Sequence, residues 1–128
     1  MSNKFQVYVG KTIIAEDDFY EMFEFSHNLN DEMSFSMFSL LMGLDYFDED
    51  YLTIEYRQKS SLHDMLDYLS DFVKIDVANN IISDYDDIDF IVVINEDEAY
   101  ANEPMAKMFK NQYIDLKYLG SFDTEYVS

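Results

Sequence analysis

Ile88-Asp89-Phe90-Ile91-Val92-Val93-Ile94 is apolar at six of its seven positions, five of them β-branched. It follows the turn-like Asp84-Tyr85-Asp86-Asp87. A short apolar run bounded in this way predicts a strand buried on both faces, at the centre of a sheet. Before it, Ser60 or Ser61 caps a helix over about 61–74. There Leu62, Met65, Leu66, Leu69, Phe72 and Val73 share one arc, and Asp64, Asp67 and Asp71 share the opposite one. Residues 75–83 fit either a continuation of that helix or a loop through Asn79-Asn80.

Further towards the N-terminus, Tyr51 to Tyr56 reads as a strand, preceded by the acidic loop Asp45-Tyr46-Phe47-Asp48-Glu49-Asp50. Asn28 to Asp31 offers caps for a helix over 31–42 that Gly43 terminates. Its apolar residues Met33, Phe35, Met37, Phe38, Leu40, Leu41 and Met42 surround it, so it is central to the core or partly a surface that pairs two protomers. Phe5 to Val9 alternates as a strand closed by Gly10, and Ile13 and Ile14 extend that hairpin or lead into the next helix. Over 16–25, Phe19, Met22 and Phe23 share one helical face and Asp17, Glu21 and Glu24 the other. Beyond the central run, residues 96–110 predict a last helix whose start moves to Glu103 or Pro104, because proline is tolerated only in a first turn. Tyr113 to Leu119 closes the sheet, and 121–128 form a frayed end. The order β-α-α-β-α-β-α-β predicts a single α+β domain over residues 1–128, with a small, mainly antiparallel sheet and three to four helices.

The chain has 128 residues, with 27 Asp and Glu against 8 Lys and Arg, a formal charge of -19. Small soluble domains usually carry a net charge of about 2–8. The excess repels itself and opposes the compact state. Disorder does not explain it, because 48% of residues are hydrophobic and 17% aromatic. The acids are spread along the chain, not gathered in a tail. With no cysteine there is no disulfide framework, thiolate metal site or cysteine nucleophile, which fits a cytoplasmic protein. No signal peptide or bilayer-spanning run is visible. The charge also disfavours direct nucleic-acid binding and anionic membranes.

Catalytic and metal readings find little support. Calcium loops counted from Asp48 or Asp84 fail, with Thr53 or Asp89 where glycine is needed and Lys59 or Asn95 at the twelfth position. Among so many acids, close carboxylate pairs carry no information about acid–base catalysis. His27 and His63 are the only histidines, and His63 reads as a solvated residue at a helix edge. Phosphate-loop, nucleophile-elbow and zinc motifs are missing. No enzyme activity, metal or cofactor is expected.

The acids make more sense as a surface. Duplex DNA carries one negative charge per roughly 1.7 Å of axis. Acids three or four apart on a helix lie roughly 4.5–6 Å apart along it. Asp17/Glu21/Glu24 and Asp64/Asp67/Asp71 follow that spacing and can stand in for rows of phosphates. Two loop clusters add Asp45, Asp48, Glu49 and Asp50, and Asp84, Asp86, Asp87 and Asp89. Carboxylates accept the same bidentate bonds from arginine as phosphates do. A simple solvated face explains any one row, but such faces normally mix signs. Tyr20, Tyr46, Tyr51, Tyr68 and Tyr85 sit among the acids, where they either cap the core or enrich a binding surface.

In size, charge, lack of cysteine and distribution of acids over folded elements, the chain resembles the small acidic DNA-mimic inhibitors of phages and mobile elements. These include antirestriction proteins of the ArdA type and anti-CRISPR proteins. Gln6-Val7-Tyr8-Val9 and the stretches Tyr113-Ile114-Asp115 and Asp123-Thr124-Glu125-Tyr126 are loosely similar to ArdA. The resemblance implies that the basic DNA-binding cleft of a defence nuclease, a CRISPR effector or restriction enzyme, is the partner. An immunity protein against a nuclease toxin is the alternative, and a divalent-cation-binding or enzymatic domain is a third class.

Overall fold

The computed structural model describes residues 4–25, 36–45, 47–56 and 62–123. The apolar run predicted to be central forms strand β3 (Phe90–Asn95), with Phe90 to Ile94 all buried. It pairs on one side with β2 (Leu52–Tyr56) and on the other with β1 (Lys4–Thr12). β5 (Ile114–Asp123) pairs with the far side of β1, and β4 (Met108–Lys110) forms the outer edge. All pairings are antiparallel, in the order β2-β3-β1-β5-β4.

Alternation along β1 and β3 divides the interior into two cores, one on each face of the sheet. Tyr8, Phe90, Val92 and Ile94 face a layer that includes α1 (Glu16–Glu21), α2 (Met37–Met42) and the short α5 (Glu96–Ala99). Phe5, Val7, Val9, Ile91 and Val93 face α3 (Leu62–Ser70) and α4 (Ile75–Asp84). The first core is largely aromatic: Phe19 lies 4.7 Å from Phe90 and 5.2 Å from Phe23 between ring centroids. Ring pairs at such distances add about 0.5–1.5 kcal/mol each beyond the area they bury. The α+β class and antiparallel sheet agree with the sequence, with five α-helices among the described residues where three to four were expected.

Several boundaries differ. Gly10 does not close β1, which runs to Thr12 because the chain beyond Gly10 stays bonded on both sides. Asp89 N donates to the Gly10 carbonyl at 2.8 Å, and Thr12 N donates to the Asp89 carboxylate at 2.9 Å. α1 stops at Glu21, and residues 23 and 24 turn through i→i−3 bonds. Of the 31–42 helix, 31–35 lie outside the described residues. The rest begins at Ser36, whose hydroxyl accepts from Ser39 N while Ser39 Oγ accepts from Ser36 N. Gly43, left-handed at φ 68°, ends it as expected.

The helix expected over 61–74 ends at Ser70, where Asp71 N and Phe72 N tighten the turn by donating three residues back. Extended Lys74 then opens the separate helix α4, which resolves the ambiguous 75–83 stretch.

The helix expected over 96–110 does not form. Asn95 caps one turn, with its Oδ1 accepting from Glu98 N at 3.2 Å, and Tyr100 leaves the helix in a left-handed conformation at φ 57°. Pro104 disfavours a helical residue before it. The Asn102 Oδ1 accepts from Asp45 N at 2.8 Å and its backbone oxygen from Gln6 Nε2 at 2.8 Å, turning the chain towards β4.

β5 is longer than expected, because 121–123 pair with β1 where a frayed end was predicted. The register shifts between Val7 and Tyr8, opposite Gly120 and Tyr118, so Leu119 is the extra residue. Leu116 and Tyr118 therefore face the first core, and Leu119 and Phe122 the second.

Gln6, fully buried in β1, is satisfied from three sides. Its Oε1 accepts from Tyr8 OH at 2.7 Å, and its Nε2 donates to Glu96 Oε1 at 2.9 Å as well as to Asn102 O. The 96–107 segment is thereby tied to the central strand.

Candidate acidic interaction surface

The fourteen acids singled out from the sequence fall into two classes. Asp48, Glu49 and Asp89 are half-buried and hold backbone amides in place. The Asp48 carboxylate accepts from Asp50 N at 3.0 Å and caps the short 3₁₀ turn Glu49–Tyr51. Glu49 accepts from Phe25 N at 3.1 Å, and Asp89 accepts from Thr12 N. These three help build the fold. The other eleven are exposed: Asp17, Glu21, Glu24, Asp45, Asp50, Asp64, Asp67, Asp71, Asp84, Asp86 and Asp87.

The two helical rows do not join into one. α1 buries Phe19 in the first core, whereas α3 buries Met65 and Leu69 in the second. Asp17 and Glu21 therefore lie on one side of the sheet and Asp64 and Asp67 on the other. Glu24 and Asp71 sit in turns just past their helices. On α3, Asp67 lies 3.4 Å from His63 Nε2, and both side chains are well exposed.

The layers approach one another at the β2 edge. Tyr56 of β2 stacks 4.9 Å from Phe19, and Tyr68 of α3 shares a 2.5 Å hydrogen bond with Thr53 of β2. Burial chiefly, and then the nearby Glu16 and Glu55 carboxylates, holds the Tyr20 phenol above its ordinary value. Burial does the same more strongly to Tyr68, helped by Glu55 and opposed by its bond to Thr53. Glu55 thus acts on tyrosines from both layers. It was not among the residues singled out, although its alternation with Leu52, Ile54 and Tyr56 marks it as pointing away from the first core. Tyr20 and Tyr51 are exposed, Tyr68 and Tyr85 half-buried, and Tyr46 lies outside the described residues.

Two concavities sort the loop clusters. One, of about 310 Å³, brings Asp50 together with Asp71. The other, of about 520 Å³, holds Asp87 and Asp89 beside Asp115. It also contains Lys11, Lys110 and Lys117, so charge there is balanced. Lys11 pairs with Asp87, which raises its ammonium pKa, and Lys117 lies 5.1 Å from the Tyr85 ring centroid. This lysine-bearing groove went unseen because its members come from β1, the 85–89 turn and the β4–β5 hairpin. Asp87 and Asp89 are therefore less available than the sequence suggests, whereas Asp17, Glu21 and Asp50 are exposed outside this groove.

No helix among the described residues is long and apolar enough to cross a membrane. A dense coat of one sign should oppose the compact state and be relieved by salt. The screening length shrinks from about 30 Å at 0.01 M to about 3 Å at 1 M. The thermal midpoint is expected to rise with sodium chloride over that range, as read by circular dichroism. A flat or falling midpoint would show that the coat does not repel itself. No protein-family model, curated protein or solved structure matches this chain.

Proposed function

We propose that the chain is an acidic inhibitor acting in the bacterial cytoplasm, occupying the basic DNA-binding cleft of a host defence nuclease and blocking DNA binding. The nuclease is a CRISPR effector or a restriction enzyme. The observation that carries this reading is the exposure of the acids: three of the fourteen are half-buried against backbone amides, and eleven are exposed on helices, turns and loops. Exposed charge of one sign, held on helices and tight turns, suits a surface that replaces phosphates. Such a surface steers encounter with a cationic groove and loses strength as salt rises.

The test is binding to purified defence nucleases in the presence and absence of duplex DNA. Competition by DNA is expected, with affinity falling steeply as salt rises from about 50 to about 200 mM, as screening weakens a contact between opposite charges. An inhibitor that binds alongside DNA, or with salt-independent affinity, would refute the mimic mechanism. Tight, salt-resistant binding to one nuclease toxin would support the immunity-protein alternative.

A further inference from the structure

The cavity between the β2 edge and the end of α3 unites features that the sequence keeps apart. Asp50 belongs to the 3₁₀ turn before β2 and Asp71 to the turn after α3, yet both line the same space of about 310 Å³. Tyr51 and Phe72 supply aromatic walls, and Thr53 and Asn95 supply polar atoms. Tyr51 is 41% exposed, so one wall is open to a partner.

A second, independent feature gives the same sign. α3 has nine residues and no basic side chain in its last turn. The C-terminal end of a helix is the negative end of its dipole and favours a cation nearby, and at α3 the Tyr68 and Leu69 carbonyls already accept from the amides of residues 71–73. Asp71 adds a full negative charge at that end, where an acid is unfavourable for the isolated helix. Two carboxylates and aromatic faces in the cavity select a positive group, and the dipole of the neighbouring helix has the same sign.

We propose that this cavity is the seat of one arginine side chain of the basic partner. A guanidinium matches the walls better than the alternatives. It is planar and weakly hydrated, stacks on aromatic rings and donates in a fork to carboxylates. An ammonium is a compact, strongly hydrated point charge that uses flat aromatic walls less well. A hard divalent cation needs six or more oxygen ligands, and among the described residues no three acidic or histidine side chains are grouped to hold one.

This proposal rests on the inhibitor reading and sharpens it, because it names one specific contact within a diffuse charged surface. The experiment is a nitrogen-15 NMR titration of the full chain with N-acetyl-arginine amide. N-acetyl-citrulline amide, its neutral isostere, and N-acetyl-lysine amide serve as comparison probes. Saturable shifts are expected at the Thr53, Val93 and Asn95 amides, with arginine at least about threefold tighter than lysine and citrulline inert. Asp50→Asn with Asp71→Asn should weaken arginine binding at least about fivefold, whereas Asp18→Asn, on exposed α1, should leave it unchanged. Preserved dispersion of the amide spectrum shows that each variant is folded, and Tyr51→Ser, which removes one wall, gives a separate check. Equal shifts with citrulline, shifts spread over all acidic faces, or an unaffected double variant would overturn the proposal. If arginine fails while DNA-competed nuclease binding persists, the pocket is refuted and the inhibitor reading stands.

Discussion

Gly10→Ala is expected to destabilise the chain by about 3 kcal/mol or more, near the upper range for overpacking a rigid interior. A β-carbon on Gly10 would lie 1.9 Å from the Asp115 carbonyl oxygen and 2.6 Å from Phe90 Cζ. The first neighbour is backbone of β5 and the second a fully buried ring, so neither yields cheaply. Relief requires β1 and β5 to part where Gly10 faces Leu116 and the next pair is Lys11 with Asp115. Urea unfolding of the variant against the parent checks this, with the midpoint moving sharply down and the slope unchanged. A loss below about 1 kcal/mol would mean that β5 shifts freely, contrary to its pairing along the whole of β1.

The second large effect is alkaline unfolding. Burial pushes the Tyr8 phenol far above its usual range, with Tyr118 and Glu96 adding to the shift, and burial likewise raises Tyr68. Tyr118 is raised to about 12 for the same first reason, helped by Glu96 and Glu103. Each group stays protonated in the folded chain after its unfolded counterpart has ionised near pH 10. The unfolded state then binds fewer protons than the native one, so stability falls with rising pH. Their contribution is complete below about pH 10 and is lost as pH climbs through the folded values. Tyr8 and Tyr68 should each remove up to about 1.4 kcal/mol per pH unit above that point, while more exposed Tyr118 removes less. Tyrosinate absorbance should rise in two stages, exposed phenols first and buried ones together with loss of structure. Tyr8→Phe should remove part of the slope; an unchanged pH dependence would disprove the assignment.

The sheet was legible wherever the pattern was strong. Phe90 to Ile94 announced its burial through unbroken β-branched and apolar residues, and Gly43 announced the end of α2. The failures have local causes. Residues 96–110 show acids followed by Ala and Met, which suits a helix, but the capture of Asn102 and the paired edge Met108–Lys110 outweigh that propensity. The 61–74 arc was correct for its apolar face, yet that arc continues to Phe72 and Val73 through the turn that ends α3, so periodicity did not mark the stop at Ser70. For the site, spacing located the exposed rows but not their placement on opposite layers, which depends on strand order. Nor could it separate Asp48, Glu49 and Asp89 from their neighbours, because their role is set by amides distant in sequence. The union of Asp50 with Asp71 has the same origin.

The first strand of the chain lies in the middle of the sheet, where Phe5 faces Asn95 and Lys4 faces Asp123. Pairings of such long range close slowly, and mixed α/β domains dominated by them fold later than helical ones of equal stability. During synthesis β1 must wait, with both edges unpaired, until β3 and then β5 emerge. Apolar strands waiting in this state are open to pairing with other chains. Acids flanking the apolar strands act as gatekeepers against that encounter. The self-repulsion that weakens the finished fold therefore protects the unfinished one: nascent copies should remain dispersed long enough for a slow sheet to close.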